Sequence, residues 1–402
     1  MRKGYWVFIA LMLGGFACDS GGTETPTSGM QPEGTTGEAD TTQEEEPSAP
    51  SSPSLADFYS ALHDDVSTWG YDSGEWTDDF GDGAAFGAFY FANRWKSTQE
   101  DGDRTIAEET FEYNLSVVTT ASEDVTWALN NLEEVFMAVQ GVIEGASALE
   151  KAEELGPLDT FIDNVMDPVV ASLNDYADLN AGDFAADLYG PTSLTAGVAV
   201  IYSQYALRLD TEKTPQRLER ASEILDAIHQ VAWDEEGSRY LFRPEEDKLF
   251  LYPNGTMLIA LNRVYALSGE ERFLERAKAV YEGIQPLRKE LGYYQSPYSQ
   301  EYQGAETDEY GTLSAQNYLM IGLMLLHENT GDQAFLDEVL AMLSFIQAKL
   351  YVAEIQKIVH HWIDGRPALE TDPDFFCSGC NLQVLYILWY LENTLSVSLA
   401  DA

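Results

Sequence analysis

Apolar positions between Tyr252 and Gln285 fall into two unlike helices. In the first, Leu258, Ile259, Leu261, Val264, Tyr265 and Leu267 leave little polar surface. In the second, Phe273, Leu274, Ala277, Val280, Tyr281 and Ile284 recur at three- and four-residue steps and turn Glu275, Arg276 and Lys278 toward water. Ser268-Gly269 separates them, and Asn254, Gly255 and Thr256 supply side chains suited to cap the first. A helix apolar on most sides beside one apolar on a single side is an inner helix backed by an outer one. The same pattern returns from Gly311, with Leu313, Tyr318, Leu319, Ile321, Leu323, Leu325 and Leu326, then Thr330-Gly331-Asp332, then Phe335, Leu336, Val339, Leu340, Leu343 and Ile346. The turns align residue for residue, Gly269 to Leu274 on Gly331 to Leu336. One hairpin repeated at a fixed interval implies a stacked or closed array.

With that hairpin as template, the pattern predicts further inner helices at Asp82–Ala92, Thr126–Ile143, Ser193–Leu209 and Cys380–Leu391. Their outer partners are expected at Thr105–Val118, Leu158–Leu173 and Arg217–Val231. The last inner helix has no following mate, but Leu55, Phe58, Tyr59 and Leu62 form an amphipathic helix with no mate at the start of the domain. Together they close a ring; an open solenoid would instead leave two exposed ends. Between repeats, Gly237–Leu251 reads as a β-hairpin turning at Pro244 to Asp247, and Leu291–Tyr302 as an aromatic loop.

Six inner helices starting near 82, 126, 193, 255, 312 and 380, each with an outer partner, resemble the (α/α)6 toroid of the six-hairpin glycosidase-like superfamily. The resemblance covers nearly all of 54–402 and rests on periodicity and the two matching turns. It implies an all-α domain with small β-hairpin insertions and, as an expectation, action on a saccharide. Toroids of this kind also host epimerases, lyases and binders that do no chemistry, so the site must decide.

The amino end adds a different element. Arg2 and Lys3, an apolar run from Tyr5 to Leu13 and Gly14-Gly15-Phe16-Ala17-Cys18 form a secretory signal over 1–17, and small residues ahead of Cys18 resemble the lipobox of bacterial lipoproteins. Cys18 is then the lipidated amino terminus, and the protein is held on a membrane in the cell envelope outside the cytoplasm. Asp19 beside a lipidated Cys retains lipoproteins at the inner membrane of enteric bacteria, a rule that does not transfer reliably to other lineages; of the two membranes the outer is the first expectation. Residues 18–53 are Thr, Ser, Gly, Pro and acids with almost no apolar side chains and read as a disordered, self-repelling tether.

Charge narrows the partners. With 22 basic and 68 acidic residues the chain carries a net −46, which excludes the basic footprint a nucleic acid needs. After lipidation Cys377 and Cys380 remain, as Cys-Ser-Gly-Cys. The expectation is a local disulfide or two neighbouring thiols; zinc would need further ligands, with His360 and His361 the nearest candidates. No cofactor is called for.

In a closed ring the loops that lead into the inner helices meet on one face. That face collects Glu75, Trp76, Asp78, Asp79 and Asp82; Glu123 and Asp124; Asp183, Asp187 and Tyr189; Tyr252 and Asn254; Glu306, Asp308, Glu309 and Tyr310; and Asp374, Phe375 and Phe376. Rings stack on the apolar faces of pyranoses, and paired carboxylates serve as acid and base or nucleophile. Trp76-Thr77-Asp78-Asp79 is similar to the Trp-Trp-Asp-Asp of glycoside hydrolase family 76 mannanases, whose tandem aspartates carry catalysis; here the pair precedes the first inner helix and its flanks do not follow the family. The candidate catalytic groups are therefore Asp78 or Asp79 opposite Asp308 or Glu309, with Trp76, Asp187, Tyr189, Tyr252, Asn254 and Tyr310 for substrate. The competing assignment for these acids is helix capping and solvation, and for Asp78, Asp79 and Asp82 also Ca²⁺ binding, without EF-hand spacing. His360 and His361, beside Trp362, read as an exposed pair on a pocket rim.

Overall fold

The structure is a computed structural model that describes residues 54–66, 69, 71–72, 75–76, 82–167, 190–241, 249–295, 310–354, 356–363, 366–367 and 377–402. Six inner helices stand side by side: α2 (Asp82–Thr98), α5 (Leu132–Ala148), α7 (Gly190–Arg208), α9 (Leu251–Ser268), α11 (Leu313–Thr330) and α13 (Ser378–Asn393). Each packs on the next, and α13 packs back on α2, so the ring is closed. Outer helices α3 (Asp101–Glu123), α6 (Gly156–Phe161, continued by a π turn to Met166), α8 (Thr214–Ala232), α10 (Glu271–Ile284) and α12 (Gln333–Phe345, continued by a π turn to Leu350) cover it. Helix α1 (Leu55–Asp65) packs on α13, and Ala56 N–H donates to Leu399 O at 3.1 Å, which ties the two ends of the domain together.

The division into inner and outer layers follows from the apolar pattern. In α9 every residue from Pro253 to Val264 is buried, whereas α10 buries Phe273, Leu274, Ala277, Val280, Gly283 and Ile284, one stripe. Gly269 and Gly331 end α9 and α11 at φ +69° and +71°, the left-handed cap that the aligned turns predict. Gly255 lets these two helices approach closely, since a Cβ there would lie 3.1 Å from the Leu319 nitrogen.

Several local expectations are corrected. The second inner segment is broken at Asn131 into α4 (Val125–Asn130), capped by Asp124 accepting from Trp127 N–H at 3.0 Å, and α5. Asn131 turns its side chain onto Trp127 O, the local competition with the helix ladder that marks Asn. The hairpin ahead of α9 lies earlier than the pattern suggests: β3 (Trp233–Asp234) pairs with β4 (Arg239–Tyr240), and Leu251 already belongs to α9. Tyr293 and Tyr294 are core residues rather than an open aromatic loop. Small sheets complete the fold: β1 (Tyr71–Asp72) with β2 (Glu75–Trp76), β5 (Tyr310–Thr312) with β8 (His361–Ile363) and β9 (Arg366–Pro367), and β6 (Tyr351–Val352) with β7 (Lys357–Ile358).

Candidate functional site at the mouth and lumen of the ring

The turns leaving the inner helices are short, whereas the segments leading from outer helices α8, α10 and α12 into the next inner helix are long. These three segments share a device. Each outer helix runs into a short antiparallel pairing, Trp233 with Tyr240, Arg288 with Tyr294 and Tyr351 with Ile358. Two residues before the returning partner the backbone is left-handed, at Ser238 (φ +51°), Gly292 (φ +89°) and Gln356 (φ +53°). The fourth residue of the following inner helix then clamps the returning residue through its side-chain amide. Asn254 Oδ1 accepts from Tyr240 N–H at 2.8 Å while Nδ2 donates to Tyr240 O at 3.0 Å and Phe250 O at 2.8 Å. Gln316 accepts from Tyr294 N–H at 2.9 Å and donates to Tyr294 O at 2.7 Å. Asn381 accepts from Ile358 N–H at 2.8 Å and donates to Ile358 O at 3.1 Å. Buried backbone groups need such partners, so these amides fix where each loop leaves the ring.

Two proposed substrate contacts are thereby corrected. Asn254 is fully buried and its amide is spent on the clamp; it neither caps α9, which starts at Leu251, nor faces a ligand. Trp76 is 2 % exposed, its ring stacked 6.3 Å from Phe91 and lying over Gly87, so it offers no face to a sugar. Tyr252 remains half-buried, its ring 4.7 Å from that of Tyr318 on the neighbouring inner helix. Tyr310 contributes its backbone to β5, opposite Ile363. Asp78, Asp79, Asp187, Tyr189, Asp308, Glu309 and Cys18 lie outside the described residues.

His360 and His361 are not an exposed pair. They lie beside β5, with Thr312 opposite His361 and Trp362 closing over Gly311. Burial holds both imidazoles neutral: His360 far below its usual range, with His361 adding to the effect, and His361 down to about 4. Cys377 and Cys380 are joined by a disulfide at the start of α13. A ligand nitrogen of His360 and the two sulfurs lie within 4.8 Å of one another, the one metal-compatible group among the described residues. With both sulfurs bonded to each other, that group cannot ligate a metal in this oxidised form.

Deeper in the ring, the inner helices share a stripe that changes from aromatic to charged. Spacings of three and four residues place Phe86, Phe89 and Asn93 on one face of α2; Phe136, Gln140 and Glu144 on α5; Tyr252, Thr256, Ile259 and Arg263 on α9; and Tyr386 and Tyr390 on α13. Phe89 meets Tyr386 edge-on at 5.5 Å. Below this layer Glu144, 1 % exposed, accepts from Arg208 Nε at 2.8 Å, Gln204 Nε2 at 3.0 Å and Asn93 Nδ2 at 3.5 Å. Burial alone would raise the Glu144 carboxyl, but Arg208, with Arg263 and Gln204, outweighs it and holds it below the usual range. Tyr390 donates to Glu328 at 2.7 Å, and the phenol of Tyr386 is pushed up to about 12 by burial and by Glu144. The sequence reading missed this layer, although a single Arg inside the otherwise uncharged α9 and a Glu inside the apolar half of α5 mark it.

No protein-family model and no curated protein matches the chain. Solved structures do. A sugar epimerase from a ruminal bacterium matches 85% of this chain and 99% of its own at a TM-score of 0.61 and 11% identity. A cellobiose 2-epimerase from Bacillus thermoamylovorans gives 0.60 at 11% identity, over 85% and 99% of the two chains. A family 76 α-mannanase of Bacteroides thetaiotaomicron gives 0.58 at 11% identity, over 84% and 96%. At this identity the likeness is one of fold: the chain has the (α/α)6 toroid architecture of these structures.

Proposed function

We propose that the protein processes an oligo- or polysaccharide at the loop-bearing mouth of its ring, with hydrolysis as the first reaction class. The observation that carries this reading is a closed ring of inner helices in which the half-buried Tyr252 ring, in the first turn of α9, meets Tyr318 of α11 at the end where the amide clamps hold the described loop bases. The half-buried Tyr252 offers a ring face for a pyranose, and the sequence ahead of the inner helices supplies Asp78, Asp79, Asp308 and Glu309 as candidate carboxylates. The structural neighbours, described as epimerases and a mannanase, support the saccharide class and leave the bond that changes open. In the hydrolytic reading one carboxylic acid protonates the leaving oxygen while its ionised partner activates water or attacks the anomeric carbon. Cys18 would hold the enzyme by a lipid to a membrane of the cell envelope outside the cytoplasm, the outer membrane ahead of the inner, with residues 18–53 as tether; retention of Cys18→Ser in the detergent phase would refute that part.

A second reading, a saccharide- or protein-binding lipoprotein without turnover, is favoured by Trp76 and Asn254, which the core has absorbed. A glycan panel incubated with wild type, Asp79→Asn and Asp308→Asn separates the readings. Hydrolysis predicts new reducing ends with wild type and a loss of about 10²-fold or more in a variant lacking an acid or base. Isomerised sugar without new reducing ends would replace hydrolysis by epimerisation, and binding without any turnover by wild type would remove the enzyme reading.

A further inference from the structure

Arg263 is 8 % exposed, yet it makes no ion pair among the described residues, and its buried Nε and Nη1 have no acceptor there. The nearby carboxylate does not serve it. Glu144 spends its oxygens on Arg208, Gln204 and Asn93, although it lies within electrostatic reach of Arg263. Glu328, the next acid on this side, is exposed and accepts from Tyr390. Among the described residues this layer therefore sets two guanidinium groups, Arg208 partly exposed and Arg263 buried, against the one buried carboxylate of Glu144, in a chain whose net charge is −46. Helix carboxyl ends favour cations, but that effect fades within the last turn, and Arg263 lies more than a turn inside α9, which ends at Ser268. A buried charge without a partner is strongly destabilising and is retained where something compensates it. Gln204 Oε1 is likewise buried without a donor, so the layer offers a hydroxyl acceptor besides its charged donors.

We infer that the lumen at Arg263 is an anion site that takes one carboxylate-sized group, with the guanidinium N–H groups as donors. The inference is independent of the saccharide reading, because it follows from Arg263 and its neighbours. The carboxylate is either that of a free small acid or that of an acidic sugar entering the ring.

The test is calorimetric titration and thermal unfolding of the full chain with sodium acetate, sodium glycolate and sodium glucuronate, with glucose as the neutral control. Ionic strength is held constant with a bulky sulfonate, since screening alone changes the stability of so acidic a protein. The expected result is saturable one-to-one binding of at least one carboxylate by wild type and none of glucose, with affinity at least ~10-fold weaker in Arg263→Met, the loss of a charge-assisted hydrogen bond. In anion-poor buffer Arg263→Met should unfold at or above the wild-type temperature, because an uncompensated buried charge has been removed; Arg263→Gln serves as the second variant. Acetate alone binding assigns the site to free acids, and glucuronate binding tighter than acetate assigns it to an acidic sugar; both uphold the site. No saturable binding to wild type, or equal binding to Arg263→Met or Arg263→Gln, overturns it.

Discussion

Replacing Asn254 with Ala should cost the fold about 2–4 kcal/mol. The side chain makes three hydrogen bonds from a fully buried position, each contributing about 1 kcal/mol net, and its loss leaves the Tyr240 N–H and C=O inside the protein without their partner. An orphaned buried group costs about 1–3 kcal/mol, partly relieved if water enters the space left by the amide. Asn254→Asp separates clamp from packing. A carboxylate still accepts from Tyr240 N–H, but it faces Tyr240 O and Phe250 O with an acceptor where a donor is needed, so Asp should be at least as damaging as Ala although it preserves shape. Urea unfolding followed by tryptophan fluorescence reads both, because Trp233 lies 4.9 Å from the Tyr240 ring. A loss below about 0.5 kcal/mol for Ala, or an Asp variant as stable as wild type, would refute the clamp. Gln316→Ala and Asn381→Ala, at the same helix position, should cost similar amounts.

Lowering pH should expose the buried histidines. His361 titrates at about 4 in the fold against 6.5 unfolded, so its contribution is complete above pH 6.5 and is lost as pH falls toward 4, where only the unfolded chain has taken up the proton. His361→Gln should flatten the unfolding temperature over that window relative to wild type, on the order of 3 kcal/mol in all; an unchanged slope contradicts the burial argument. Salt should raise the unfolding temperature between ~0.05 and ~0.5 M, because a net −46 repels itself, and a fall on adding salt would show that ion pairs outweigh the repulsion. Cys380→Ser should cost about 2 kcal/mol, the closure entropy of so short a loop, and thiol titration of the denatured, unreduced domain should find Cys377 and Cys380 unreactive.

The ring itself was legible because its signals are local and repeated. Gly269 and Gly331 stand at equivalent places, and the left-handed cap that only Gly takes readily is what the alignment of the two turns encodes. Closure was legible from α1, whose apolar face has no sequential partner and finds α13. The start of α9 was not. Asn254 has the composition of a cap, but its amide reaches back to Tyr240, and no local rule separates a capping Asn from one that clamps a distant strand. The hairpin register failed for a related reason: Tyr240 alternates well with either flank, and the turn at Ser238 selects Trp233. Trp76 shows the limit of reading aromatics near acids as a sugar platform, since the small residue at Gly87, one turn into α2, makes room to bury it. The charged layer was available as Arg263 and Glu144 inside apolar helices, a pattern that periodicity searches treat as noise and that burial turns into a site.

A saccharide bound at the mouth of the ring should rest on the half-buried Tyr252 ring, which Tyr318 backs. Isothermal titration of the best glycan from the panel tests it, with wild type, Tyr252→Ala and Leu207→Ser, the last at an exposed position near the end of α7. Loss of ring stacking should weaken Tyr252→Ala by up to ~10-fold and leave Leu207→Ser unchanged. Full affinity in Tyr252→Ala would contradict the claim.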